Sequence, residues 1–230
     1  MKYMNIQMAI QLVQILNIIT GIITIILGVR YLKYNKINGL LILLPIFSLL
    51  QLFISEFIAI NKRIINHSSK LIHISVTVYS IAEFLIIIIF LYYTEQSKRL
   101  RKIILTVSCF LLFTAVLDIL SLSEEKQLIN LNNFNLFEGL FIITVIIIKL
   151  INQLRDWPFF ETVSNSIWIS KFGILLGFLI FWPNSVIIKL VTNNLNEFYN
   201  YLFISNSIAY LVFFIFLSFS FYVSRKSRIN

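Results

Sequence analysis

His73, Thr77, Ser80 and Glu83 fall on one side of the helix that an apolar run over residues 71–93 must form, and Tyr79 lies one turn ahead of Glu83. At 100° per residue the five side chains cover an arc of about 160°. Glu83 is near the middle of the run. A carboxylate at bilayer depth is expensive, so it should face the bundle interior and pair with a cation, accept from a donor or hold a proton. Tyr79 supplies the donor, and Lys171 is the candidate counter-charge unless its stem lets it snorkel to the interface. Lys171 lies about two turns nearer the cytoplasmic end than Glu83. That offset favours a neutral, proton-responsive Glu83 over an ionic lock between helices 3 and 6. A purely structural hydrogen bond from Glu83 to another helix is the competing reading.

Span 1 carries Gln7, Gln11, Gln14, Asn17, Gly21, Thr24 and Gly28 at steps of three and four, which keeps them on one helical face. The face serves either interhelical packing or the lining of a ligand site, with Gln14 and Asn17 as its deepest amides. In span 6, Ser166, Ser170, Gly173 and Gly177 form a small-residue stripe that admits a neighbouring backbone. Pro183, after Trp182, removes a helix hydrogen bond and predicts a kink whose freed carbonyl Asn184 or water satisfies. Glu56, Asp118 and Glu138 lie at the outer ends of spans 2, 4 and 5. They either converge as an acidic mouth or sit there because helix ends are wet.

The same residues exclude several chemistries. Lone Cys109 cannot form an intramolecular disulfide, and two histidines with one cysteine cannot supply the usual soft or imidazole zinc set, so neither metal nor cofactor is expected. Span 7 has no lysine for a retinal Schiff base, only His73 enters a span, and Glu124-Glu125 falls in a loop rather than in a helix as an embedded protease would need. Selectivity rings and gating-charge arrays are missing. An acid-only hydrolase built on Glu83 or Asp118 stays open, and a non-enzymatic protein is favoured.

The elements that position these groups follow from composition. Of 230 residues, 59% are hydrophobic and 13% charged, with mean hydropathy +0.89, well beyond the ~45–50% apolar share of soluble domains. Apolar runs at about 8–28, 39–60, 71–93, 103–120, 136–151, 166–190 and 200–223 predict an all-α, seven-helix transmembrane bundle, a single domain over 1–230. The first run is too long, and lacks the small-residue cleavage site, to be a signal peptide. Residues 153–165, with Trp157, Pro158, Phe159 and Phe160, predict an interfacial turn. No internal repeat pairs the surroundings of Pro45 with those of Pro183.

Eleven Lys and Arg residues lie in the connections on the C-terminal side and five in the others. The positive-inside rule then places the N-terminus outside and the C-terminus in the cytoplasm, in the inner (plasma) membrane. Net charge +9 implies contact with the anionic leaflet and not with nucleic acid. Helix 3 is expected near the centre, and helices 1, 3 and 6 are expected to contact one another more than lipid.

Phe159-Phe160, Asn165-Ser166-Ile167-Trp168, Phe181-Trp182-Pro183-Asn184, Asn206-Ser207-Ile208-Ala209-Tyr210 and the tail Ser224-Arg225-Lys226 resemble a group of small bacterial seven-helix membrane proteins of unassigned function. Glu83-Phe84 after Tyr79 is similar too. The resemblance covers about half of the chain and implies the fold without an activity. Two functions are carried forward. The first is a non-enzymatic sensor or receptor-like component whose basic cytoplasmic loops dock a signalling partner. The second is a transporter or permease subunit for a small solute or proton that uses Glu83.

Overall fold

The computed structural model describes residues 2–32, 36–61, 68–121, 132–156, 165–190 and 195–226. Among them every regular element is helical: α1 (Lys2–Tyr31), α2 (Lys36–Leu40), α3 (Leu43–Ile60), α4 (Ser68–Tyr93), α5 (Lys98–Ser121), α6 (Asn132–Asp156), α7 (Ser166–Leu190) and α8 (Leu195–Lys226). Seven stretches are long and apolar enough to cross a membrane: Met8–Tyr31, Lys36–Ile58, Ile74–Tyr93, Lys98–Leu117, Leu136–Arg155, Ser166–Asn184 and Phe203–Ser224. These are the seven runs expected. The interfacial turn lies largely outside the described residues.

The second span is not one straight helix. Pro45 lacks the N–H that would bond the Leu41 carbonyl, and its ring crowds that carbonyl. The chain answers with a tight turn at Leu41 and Ile42, in which the Leu41 and Ile42 amides donate to Asn38 and Gly39 at 2.9 and 3.1 Å and the Leu44 amide takes over the Leu41 carbonyl at 3.2 Å. Pro183, in contrast, sits inside an unbroken α7. The Asn184 amide does not turn back to the freed carbonyl; it donates to Ser205 Oγ (3.0 Å) and Asn206 Oδ1 (2.6 Å) of α8.

Large apolar side chains cover the outer faces of the spans, among them Phe53, Phe57, Phe110, Phe113, Ile151 and Phe219. On a water-soluble chain such a belt would be an aggregation liability; on seven helices long and apolar enough to cross a membrane it is the kind of surface lipid can solvate. The core is continuous, built from Phe84, Ile87, Phe90 and Leu91 of α4 with Ile142 and Ile146 of α6, Ile174 of α7 and Phe214 and Leu217 of α8.

α7 and α8 pack most extensively, and the stripe on α7 explains why. A Cβ on Gly173 would stand 2.5 Å from Phe216 Cβ, and one on Gly177 would stand 3.4 Å from Phe213 Cβ. At the C-terminal end Ser220 donates to the Ser166 carbonyl (2.7 Å) and is bonded to Ser170 (2.7 Å) and Asn38 (2.9 Å).

α4 and α7 are the most buried spans, as a central helix 3 requires. The expected grouping of helices 1, 3 and 6 is corrected. α1 is the least buried span and packs chiefly on α8 and α3, not on α4 or α7. Its small and polar residues are the reason. Thr24 Oγ1 lies 3.2 Å from the Phe214 carbonyl and 2.8 Å from Ser218 Oγ, and Gly28 leaves room for Ile42 and Phe221. Gln11 of the same stripe is exposed, and the side chain of Gln7 lies outside the described residues.

Candidate functional site

Successive spans run in alternate directions, so the bundle has a face that carries the start of α1 and a face that carries the end of α8. They are called here the N-terminal and C-terminal faces. Glu83 sits between them on α4, 9% exposed. Tyr210 on α8 donates its hydroxyl hydrogen to Glu83 Oε2 at 3.2 Å. The buried Tyr79 of α4 stands beside this bond, its ring meeting that of Tyr210 edge to face with centroids 6.2 Å apart. Glu83 is therefore held by a phenolic donor from a second helix.

Lys171 does not neutralise it. The ammonium of Lys171 donates to Gln153 Oε1 of α6 at 3.1 Å, near the C-terminal face. Neither does Lys171 snorkel into the open, for the residue is 1% exposed. The group that does approach Glu83 is Glu138 of α6, which is 3% exposed and near enough for the two carboxylates to repel if both were charged. α6 begins at Asn132, so Glu138 is already more than a turn and a half inside the helix and turns inward rather than lining a mouth. Glu56 is exposed on α3, and the side chains of Asp118 and His73 lie outside the described residues.

Toward the N-terminal face, α1, α3, α4, α7 and α8 part to leave a cavity of about 350 Å³. It is within the ~300–1,000 Å³ typical of small-molecule sites. Amides line it (Gln14, Asn17, Gln51 and Asn206), as do the hydroxyls of Ser48, Tyr79, Ser80 and Tyr210, with Phe181, Phe203 and Phe214 supplying aromatic surface. The structure thus brings together Gln14, Asn17, Tyr79 and Ser80, which the sequence singled out from two separate spans. Thr77 is buried on α4 but does not line the cavity.

Asn17 shows how both readings of the span 1 stripe hold at different depths. Its amide nitrogen donates to the Ser207 carbonyl at 2.9 Å, which is packing. Its buried Oδ1 has no acceptor role filled by any described residue, which leaves a polar atom at the cavity wall for water or a ligand to satisfy. Ser48, Gln51, Asn206 and Tyr210 were not among the expected site residues. The signal for the last two was present, since Asn206 and Tyr210 stand four apart in an apolar span and share a face.

Below Glu83 the interior closes. A void of about 20 Å³ beside it, walled by Ile87, Ile174, Phe178 and Phe213, has room for one water. From Glu83 to Thr94 the axis of α4 rises about 16 Å. Phe84, Ile87, Phe90 and Leu91 fill that distance and are essentially inaccessible. Among the described residues no group of His, Cys, Asp and Glu side chains could hold a metal ion. Compared with protein-family models, curated proteins and solved structures, the chain matches none.

Proposed function

We propose that this chain is a non-enzymatic sensor or receptor-like membrane component that binds a small molecule in the cavity toward its N-terminal face and relays occupancy to the opposite face. One observation carries the reading: a ligand-sized cavity rich in amides and hydroxyls is lined by Tyr210, whose hydroxyl bonds Glu83 behind it, and a packed apolar layer separates it from the C-terminal face. Such a site can hold a solute, and the layer beneath gives that solute no polar path onward. The lining suits a compact molecule with both hydrogen-bonding edges and an aromatic or aliphatic face.

In this proposal the cavity opens to the outside and the C-terminal face lies in the cytoplasm of a plasma-membrane protein, following the eleven-to-five bias of Lys and Arg. Exposed Lys98, Arg99 and Lys102 then face the cytoplasm at the start of α5, where an acidic signalling partner can dock. Kinship with the small bacterial seven-helix proteins belongs to the same proposal.

A transporter is the second reading, and the buried proximity of Glu83 and Glu138 is what favours it, since carboxyls at depth serve proton relays. One pair of measurements separates the two. Proteoliposomes loaded with a pH-sensitive dye should show no proton flux above empty liposomes, and cross-linking in native membranes should capture a cytoplasmic protein that the Arg99→Glu/Lys102→Glu variant loses. Proton flux that disappears in Glu83→Gln would overturn the sensor in favour of the transporter.

A further inference from the structure

At the C-terminal face the end of α4, the last turns of α6 and the start of α7 enclose a second cavity, about 310 Å³ in volume, that the proposed sensing site does not use. Lys149, Arg155 and Lys171 line it together with Glu95, Asn152 and Gln153. Both lysines are nearly inaccessible, at 3% and 1% exposure. They are close enough to repel each other.

Two buried ammonium groups, Lys149 and Lys171, face a single described carboxylate on the wall. Glu95 is the one carboxylate on the wall, and it is already engaged: Oε2 lies 3.5 Å from Lys149 Nζ, and Oε1 accepts from the Ser97 amide at 2.9 Å. Lys149 completes its shell with the Leu91 carbonyl and with Thr94 Oγ1 at 3.2 Å. Lys171 has as its hydrogen-bond partner among the described residues only the neutral Gln153 Oε1, and feels Glu95 at longer range while that carboxylate is bonded to Lys149. An ammonium is a compact charge with three donors, and a buried one with an uncharged partner is costly unless an anion joins it.

We infer that this cavity binds a phosphoryl-bearing anion, with Lys171 as its principal charge contact, Arg155 at the rim and Asn152 offering neutral hydrogen bonds. The donor set fits the chemistry: a tetrahedral oxyanion takes several N–H bonds at once, which point-charge lysines and a forked guanidinium supply. Size fits as well. The volume is about ten times the ~30 Å³ a water molecule occupies in the liquid, which admits a phosphoryl group with its substituent. Its position at the ends of three spans is the depth at which lipid phosphates lie, and basic pockets between helices recognise such headgroups. A lipid headgroup and a free phosphate share this chemistry.

The test is saturable thermal stabilisation of the delipidated full-length protein in a neutral detergent. Three probes are titrated separately: inorganic phosphate, short-chain phosphatidylglycerol and, as zwitterionic control, short-chain phosphatidylcholine. Stabilisation by phosphatidylglycerol alone identifies a lipid headgroup, and stabilisation by phosphate identifies a free anion; either supports the site. Lys171→Met should weaken the effective probe by about tenfold or more, roughly the loss of one charge-assisted contact. Arg155→Gln changes an exposed position and should weaken the probe several-fold, with the melting temperature in the absence of probe as its folding control. No saturable shift with phosphate or phosphatidylglycerol, an equal shift with phosphatidylcholine, or full retention in both variants would overturn the inference.

Discussion

Tyr210 of α8 and Glu83 of α4 meet at 3.2 Å, joining two helices whose backbones have little direct contact. The floor of the N-terminal cavity thus depends on a side-chain bond more than on helix packing, and a change at the cavity wall has a direct route to α4. α4 ends at Tyr93, and Glu95, two residues beyond it, places its carboxylate against Lys149. The two halves of the molecule share one rigid element.

The bond should be measurable as a coupling energy. Hydrogen bonds between membrane helices average ~0.6 kcal/mol and reach about 1.7 kcal/mol in double-mutant cycles. The cycle of Tyr210→Phe, Glu83→Gln and the double variant, followed by reversible unfolding in mixed detergent micelles, is expected to give a coupling within that range. Strict additivity, within the ~0.3–0.5 kcal/mol scatter of independent sites, would show that the two groups act separately.

Hydropathy made the seven spans legible because lipid demands a run of fixed length in each, and that demand is local in sequence. Glu83, Tyr79, Ser80, Gln14 and Asn17 were legible for a similar reason: polar groups in an apolar run must turn inward. What pairs with what was not. Lys149 looks like a span-end cation and Lys171 like one that can snorkel to the interface, and only the approach of α6 to α4 and α7 shows one on Glu95 and the other on Gln153. Glu138 was misplaced because its helix starts a turn before its apolar run does. The break in the second span was visible in Pro45, but its position at Leu41 and Ile42 depends on which carbonyl the ring crowds.

The two glycines of α7 should respond in opposite ways to the same added methyl. At Gly173 the new Cβ meets Phe216 Cβ at 2.5 Å, an atom fixed to the α8 backbone, so Gly173→Ala should cost about 1–3 kcal/mol as overpacking. At Gly177 the nearest atoms are Phe213 Cβ at 3.4 Å and the Ala209 carbonyl oxygen at 3.6 Å, which is ordinary contact. Gly177→Ala should be neutral or raise the melting temperature, because Ala favours helix by up to about 1 kcal/mol over Gly. Equal losses at the two positions in detergent melting would refute this reading of the α7–α8 interface.

Breaking the Glu95–Lys149 pair from one side should be worse than removing it whole. Glu95→Gln leaves a buried ammonium with the Leu91 carbonyl and Thr94 but no anion, and removing one partner of a buried pair costs about 3–5 kcal/mol. In Glu95→Gln/Lys149→Met the stranded charge is gone and the methionine chain still fills the space. The double variant is therefore expected to unfold at a higher denaturant concentration than Glu95→Gln alone. A double variant less stable than Glu95→Gln would mean that the lysine contributes something other than the other half of an ion pair.

Access from each face should stop at the apolar layer. The native Cys109 is exposed on the outer face of α5 and can be removed as Cys109→Ala without disturbing the core. On that background, Gln14→Cys and Gln51→Cys place thiols on the wall of the N-terminal cavity, Asn152→Cys places one on the C-terminal cavity, and Ile87→Cys places one in the packed layer between them. A membrane-impermeant maleimide needs water at the thiol, because only the thiolate reacts and a buried thiol resists ionisation. Applied to intact cells, it should label positions 14 and 51. Position 152 should react only after permeabilisation, and position 87 from neither side. Labelling of 152 in intact cells would reverse the orientation that the basic connections imply. Labelling of 87 would show that water crosses the layer, and a relay without passage would then give way to a path through the bundle.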